Sequence, residues 1–154
     1  VQELIDRTGF TAAALPEADR AITNVYIGDL LSWVMGRAGA DEAWITIMSN
    51  RNIVAVATLA DTACILLAEG VQPDEGVAAL AREKGIAVLS SLHDLNQALH
   101  FGDKFFFLKD GVVKYAGGKE IVTEEVIRDI FDIRVKIIEI NHQKVILGGY
   151  HYER

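Results

Sequence analysis

"GIAVLSSLHDLN", residues 85–96, is the stretch whose reading decides the fold. Its first seven residues have the length and β-branched content of a buried strand. The residues after it, "LHDLNQALHFG", put Leu92, Leu95 and Leu99 on one helical face and turn Asn96 and His100 elsewhere. Strand therefore runs straight into helix. No Pro/Gly/Ser-rich spacer interrupts the passage, and both prolines, Pro16 and Pro73, lie far from it.

Composition changes across this stretch. Residues 1–91 hold 17 Ala, five Arg and one Lys, whereas residues 92–154 hold two Ala, six Lys, three Arg and all four His. Twelve acidic residues against six basic ones give the first part a charge of −6, and ten against nine give the second −1. Such a shift without a linker indicates two differently biased sequences joined within one strand. The expected division is 1–91 and 92–154, with the two parts merged into one globule and sharing one sheet.

The bulk properties exclude several classes. A chain of 154 residues, half of them apolar, can bury a real core. A net charge of −7 and a pI near 5.0 argue against nucleic acid or an anionic membrane surface as partner. No apolar run approaches the roughly 18 residues of a spanning helix, and no signal peptide shows. The single cysteine, Cys64, sits in the apolar run "TACILLAEG", so it reads as a core residue in a reducing, cytoplasmic setting.

Upstream, strands and helices alternate. "VQELIDRTGF" is a helix candidate closed by Gly9, and "ITNVYIGD" is a strand after the Pro16 turn. "DLLSWVMGRA" spaces Leu30, Trp33, Val34 and Arg37 at helical intervals, with Asp29 placed to cap it and Gly39 to stop it. "EAWITIMS" is a strand, and Asn50 can cap "RNIVAVATLAD". "ACILLAEG" reads as a strand covered on both faces. "QPDEGVAALAREKG" places Pro73, Asp74 and Glu75 in a helical first turn and Gly85 past its end. The alternation predicts an α/β fold, a mostly parallel sheet with helices packed on its faces. Trp33 and Trp44 both fall on expected core faces.

The segments "GDLLS", "AWIT" and "NIVAVA", with Asp19–Arg20 ahead of them, resemble the DRTGG domain, a small module related to the N-terminal domain of HPr kinase, over about residues 20–91. "ITNVYIGD" replaces the Thr-Gly-Gly of the signature, and the earlier "DRTG" at Asp6–Gly9 is a coincidence of wording. The resemblance implies a non-catalytic regulatory or ligand-sensing domain, often a homodimer, with no catalytic residues to carry over.

Downstream, "KFFFLK", Asp110–Gly111 and "VVKYAGG" make a hairpin, since Asp-Gly supplies the positive φ angles of a tight turn. Thr123 can cap "EEVIRDIFDI", whose Val126, Ile127, Ile130 and Phe131 form an apolar stripe. "RVKIIEI" and "KVILGG" flank Asn141-His142-Gln143 as a second hairpin, and "GGYHYER" reads as a tail. In order and spacing, "LHDLNQA", "DKFFFLKDGVVKYAGG" and "EIVTEEVIRDIFDI" resemble the C-terminal stretch of an ABC transporter ATPase subunit of the class importing iron complexes and cobalamin, over about residues 88–147. That resemblance makes His93 the match of the switch histidine that reaches the γ-phosphate of ATP.

The rest of that machine has no counterpart. No segment matches the phosphate cradle G-x-x-x-x-G-K-[ST], and "YAGGKE" falls at the end of a hairpin strand. One histidine supplies about 1–3 kcal/mol through a charge-assisted hydrogen bond, where micromolar binding needs about 8. His93 is thus expected to serve as a structural hydrogen-bonding or helix-start residue. Asn50 and Asn52 in "SNRN", together with His93, are the candidates for contact with a small anionic ligand. Catalytic residues, cofactor and metal ligands are not expected, because His100, His142 and His151 fall on separate elements. The whole reads as a recombined or designed chimera, the opposed Ala and Lys biases and the Val1 start favouring laboratory recombination. The alternative is a regulatory or nucleotide-binding subunit associated with an ABC transporter, with His93 a vestigial switch.

Overall fold

The computed structural model describes residues 1–4, 11–16 and 19–151. Its main sheet has five strands in the order β1-β5-β4-β3-β2: β1 (Thr11–Ala14), β2 (Asn24–Ile27), β3 (Glu42–Thr46), β4 (Cys64–Leu67) and β5 (Ala87–Ser90). Strands β2 to β5 are parallel, with Trp44 beside Ile65 and Leu66 beside Leu89, and β1 closes the β5 edge antiparallel. Helices α1 (Leu31–Arg37), α2 (Asn52–Leu59) and α3 (Val77–Lys84) connect successive strands.

From β2 to β5 consecutive strands are neighbours, so each right-handed crossover returns its helix to the same side. Val34, Ile53, Val54, Ala57, Val77 and Ala81 from the three helices share one core with Trp44, Ile65, Leu67 and Val88. The expected mostly parallel sheet flanked by helices, with antiparallel hairpins at the C-terminal end, is what the chain forms. The other face carries Ala12, Ala43, Cys64, Leu66, Ala87 and Leu89, and its cover includes Phe106, Leu108 and Val113 from the second part of the chain.

That second part begins with α4 (Leu95–Phe101) and a hairpin of β6 (Phe105–Lys109) and β7 (Val112–Gly117). A 3₁₀ turn (Lys119–Ile121), α5 (Glu124–Phe131) and a hairpin of β8 (Ile133–Ile140) and β9 (Gln143–His151) follow. Each hairpin is a two-stranded sheet of its own, and a β-bridge between Ala12 and Lys104 ties β6 to the main sheet. Period-2 alternation along β6 sends Phe106 into the core under the sheet. Phe105 and Phe107 enter a separate core with Leu99, Val122, Ile127, Ile130 and Ile146.

The turn chemistry follows the sequence closely. Asp110 and Gly111 take φ of 55° and 75°, and Asn141 and His142 take 50° and 62°, the left-handed pairs that two-residue hairpins require. Gly85, at φ 71°, ends α3. Thr123 accepts the Val126 N–H at 3.2 Å and starts α5.

Other local expectations give way. Asp29 does not cap α1; its carboxylate accepts from the Thr46 hydroxyl at 2.8 Å and the Ile47 N–H at 3.0 Å, tying the ends of β2 and β3 together. Pro73 to Glu75 precede α3, whose flanking residue is Gly76 at φ 80°. Trp33 is 54% exposed with Arg37 stacked 4.0 Å from its ring, whereas Trp44 is fully buried and donates its indole N–H to the Gly28 carbonyl at 2.8 Å. The stretch "TAAA" becomes β1 despite the poor strand propensity of alanine, because small side chains fit the covered edge beside β5. Residues Gly148 to His151, expected as tail, are the end of β9. The "DRTG" at Asp6–Gly9 and residues 152–154 lie outside the described residues.

Asn96 locks α4 onto β9. Its amide donates to the Ile146 carbonyl at 3.0 Å and accepts the Ile146 N–H at 2.8 Å, filling the place of a missing neighbour strand. Asn96→Ala removes both bonds and strands two backbone groups, so it should cost about 2 kcal/mol in urea denaturation. Unchanged stability would contradict that role.

Candidate functional site

In an open parallel sheet the loops at the carboxyl ends of the strands form the natural binding edge. Here they are residues 28–30, 47–51, 68–76 and 91–94, after β2, β3, β4 and β5. They are tied to one another: besides the Asp29 bonds, Asp74 N–H donates to the Ser49 carbonyl at 2.9 Å, and the buried Ser90 hydroxyl donates to the Val71 carbonyl at 2.7 Å. Gln72 and Gln97 join their amides across the last two loops. Glu69 and Gly70 take φ of 56° and 69°, which turns the chain sharply after β4.

Asn50 and Asn52 sit at the start of α2 on this edge. The Asn50 side-chain oxygen accepts the Asn52 N–H at 3.0 Å, and the Ile53 and Val54 N–H groups bond the carbonyls of Asn50 and Arg51. The terminus thus satisfies three of its own donors. Arg51, between the two asparagines and missed in the sequence reading, brings a cation here. Its guanidinium comes within 3.9 Å of where a Cβ on Gly76 would sit, and Gly76 also needs its positive φ.

His93 follows β5 and is exposed. Among the described residues it makes no hydrogen bond, and Asp94 rather than His93 starts α4, accepting the Asn96 and Gln97 N–H groups at 2.9 and 3.0 Å. The imidazole borders a cavity of about 250 Å³ walled by Leu92, Leu95, Phe105, Phe107 and Phe131. Asn50 and Asn52 are not on that wall. A second cavity, of about 510 Å³, is bordered by His100 on α4 and by His142 in the β8–β9 turn. Among the described residues, no group of three or more His, Cys, Asp or Glu side chains could hold a metal ion.

At the opposite end of the sheet Arg20 forms a clamp. Its guanidinium reaches Asp41 at 2.8 Å and both the carboxylate and the carbonyl of Asp61 at 2.7 Å, while its own carbonyl accepts from the Val1 ammonium at 2.7 Å. Burial opposes the charge, yet the bonds to Asp41 and Asp61 outweigh it and raise the guanidinium pKa. Arg20 is therefore committed to structure, joining the loops that enter β3 and β4.

Residues 14–100 match the DRTGG domain family. An uncharacterized ABC transporter ATP-binding protein of Methanocaldococcus jannaschii is 39% identical over 54 residues, 35% of this chain and 21% of the relative. The vitamin B12 import ATP-binding protein of Vibrio atlanticus is 37% identical over 68 residues, 44% of this chain and 27% of its own. The ferric enterobactin transport ATP-binding protein of Escherichia coli is 28% identical over 127 residues, 82% of this chain and 47% of its own. The chain thus spans less than half the length of these relatives. A solved structure of the CBS and DRTGG domains of the regulatory region of Clostridium perfringens pyrophosphatase, complexed with the activator diadenosine tetraphosphate, aligns with 94% of this chain and 66% of its own. Its TM-score is 0.49 at 12% identity.

The thiol of Cys64 has no role on the binding edge. Burial in β4 pushes its pKa up to about 11, with the N-terminal ammonium and Arg20 pulling weakly the other way. A buried thiol so far above working pH is nearly all protonated and unreactive. Thiol labelling near pH 8 should therefore proceed at the rate of unfolding. Rapid labelling of the native protein would contradict the packing of this strand.

Proposed function

The chain belongs to the DRTGG domain family, and on that premise we propose that it is a non-catalytic regulatory protein, a chimera of a DRTGG domain (1–91) and the C-terminal stretch of an ABC ATP-binding protein (92–154). Its remaining activity is sensing of a small anionic ligand, or self-association through the DRTGG part. The observation that carries the reading is the division of labour at the His93–Asp94 pair. Asp94 is spent on capping α4, while the exposed His93 faces an apolar cavity rather than a cradle of N–H donors. A switch histidine so placed has nothing to hold a triphosphate against it.

The binding edge supplies the sensing site, with Asn50, Arg51 and Asn52 at the start of α2 and His93 after β5. Arg51 adds the positive charge that the asparagines lack. Self-association finds a surface at β2, the outer strand of the sheet, where Val25 and Ile27 are 48% and 72% exposed. The partial matches to transporter ATP-binding proteins favour a second reading, a subunit that docks on a transporter through residues 92–154.

Three measurements on the intact chain separate these readings. Phosphate release from ATP should sit at background and be equal in the protein and in His93→Ala; a rate lost in the variant would overturn the non-catalytic assignment. Calorimetric titration with adenine nucleotides and small anions should give a heat that Arg51→Ala weakens by about tenfold, about 1.4 kcal/mol. Silence across that panel removes the sensing claim. Sedimentation should then show a dimer that Ile27→Lys dissociates, and a monomer at all concentrations removes self-association.

A further inference from the structure

β2 is the outer strand of the main sheet, and among the described residues no strand pairs with its open side. Its four residues, Asn-Val-Tyr-Ile, include neither charge nor proline, the devices that usually blunt an exposed edge. The register decides which backbone groups face that opening. Ile27 stands beside Ile45, and the next residue, Gly28, donates its N–H to the Ile45 carbonyl at 3.2 Å. Along a strand the amide and carbonyl of one residue point to one side and those of the next residue to the other. Asn24 and Tyr26 therefore bond β3, as Gly28 does, while Val25 and Ile27 turn both groups outward. Thr23 ends the set, because its N–H donates to the Asp41 carbonyl at 2.9 Å.

Side chains divide in the same way. Tyr26 packs on the helix side beside the core of Trp44 and Val34, and the exposed Val25 and Ile27 lie on the opposite face. Leu30 and Trp33, at the start of α1, are also more than half exposed. Charge is scarce here: residues 21–40 hold only Asp29 and Arg37, which cancel. Asp29 is held by Thr46 and Ile47, and Arg37 lies over the Trp33 ring. Glu42 on the neighbouring strand accepts from Asn24 and from the Gly39 N–H. A second copy of a chain with net charge −7 can thus approach this span without the repulsion that the chain as a whole carries.

We propose that two copies of this chain pair antiparallel along β2 about a two-fold axis through Tyr26, joining their main sheets into one, an assignment that rests on the self-association read above and adds its seam and register. The outward groups select that register. With Val25 opposite Ile27 of the second copy, both residues of each copy bond both their N–H and their carbonyl groups. A shift of two residues sets Ile27 against Thr23, whose N–H is taken, or Val25 against Asp29, beyond the end of the strand. In the selected register Val25 and Ile27 cover each other on one face and the two Tyr26 residues meet on the other. Leu30 and Trp33 extend the contact toward the roughly 800 Å² per partner of a stable interface. A strand edge that complements itself is what a two-fold contact requires.

Cysteine cross-linking of the full chain tests the seam, with the native Cys64 buried and out of reach. The two Tyr26 positions form a non-hydrogen-bonded pair with Cβ atoms about 4.5 Å apart, a gap that a disulfide spans. Mild oxidation should convert most of Tyr26→Cys to a covalent dimer and leave Asn24→Cys, placed opposite Gly28, as single chains. Because Tyr26 also packs on the core, a second pair is read at exposed positions. Val25→Cys and Ile27→Cys chains should cross-link through a short thiol-specific linker when mixed, and not when kept apart. Sedimentation of the chain without substitutions supplies the reference. A monomer at every concentration overturns self-association and seam together; a dimer in which neither Tyr26→Cys nor the mixed chains cross-link overturns the seam alone.

Discussion

A sheet whose strands follow one another in order can bury only one face with its own crossovers. In this chain β2 to β5 are sequential neighbours, so α1 to α3 share one side, and the opposite face of Ala12, Ala43, Cys64, Leu66, Ala87 and Leu89 needs a cover from elsewhere. Phe106 is part of that cover and is 7% exposed. Burying a ring of that size contributes about 1.5–3 kcal/mol by area alone. Because β6 alternates, the same strand commits Phe105 and Phe107 to the second core. Packing of the two parts is thereby coupled through one strand.

That coupling explains the fate of the residues at the junction. β5 must end where α4 can begin its path toward the far hairpins, and Asp94 supplies the cap that makes the turn. His93 is left beside the cavity formed where the β5–α4 loop faces β6. The polar loops after β3, β4 and β5, cross-linked by Asp29, Asp74 and Ser90, stay open at the other side of the junction.

Much of this was legible in sequence because it rests on local chemistry. Asp110–Gly111, Gly85 and Thr123 announce a hairpin, a helix end and a helix start through backbone conformations that few other residues satisfy. The fully apolar run of β4 declares a strand covered on both faces. What stayed hidden depends on partners distant in the chain. β1 is unreadable because "TAAA" is a strand only beside β5, and Trp33 and Trp44 occupy similar apolar patterns although one packs and the other stacks under Arg37. The common side taken by α1 to α3 follows from strand order, which periodicity does not encode. His100 and His142 border one cavity only because the β8–β9 hairpin folds back toward α4, and Arg51 hides within a motif read for its asparagines.

Residues from the C-terminal part cover the face of the main sheet that α1 to α3 leave bare, and that contact should make the two parts unfold together. Urea unfolding of a Trp33→Phe background, followed by Trp44 fluorescence for the first core and by the NMR methyl signal of Ile127 for the second, tests it most directly. Coincident transitions are expected, and Phe106→Ala should lower both together by about 3–5 kcal/mol. Two separate transitions, or a Phe106→Ala effect confined to one probe, would contradict it.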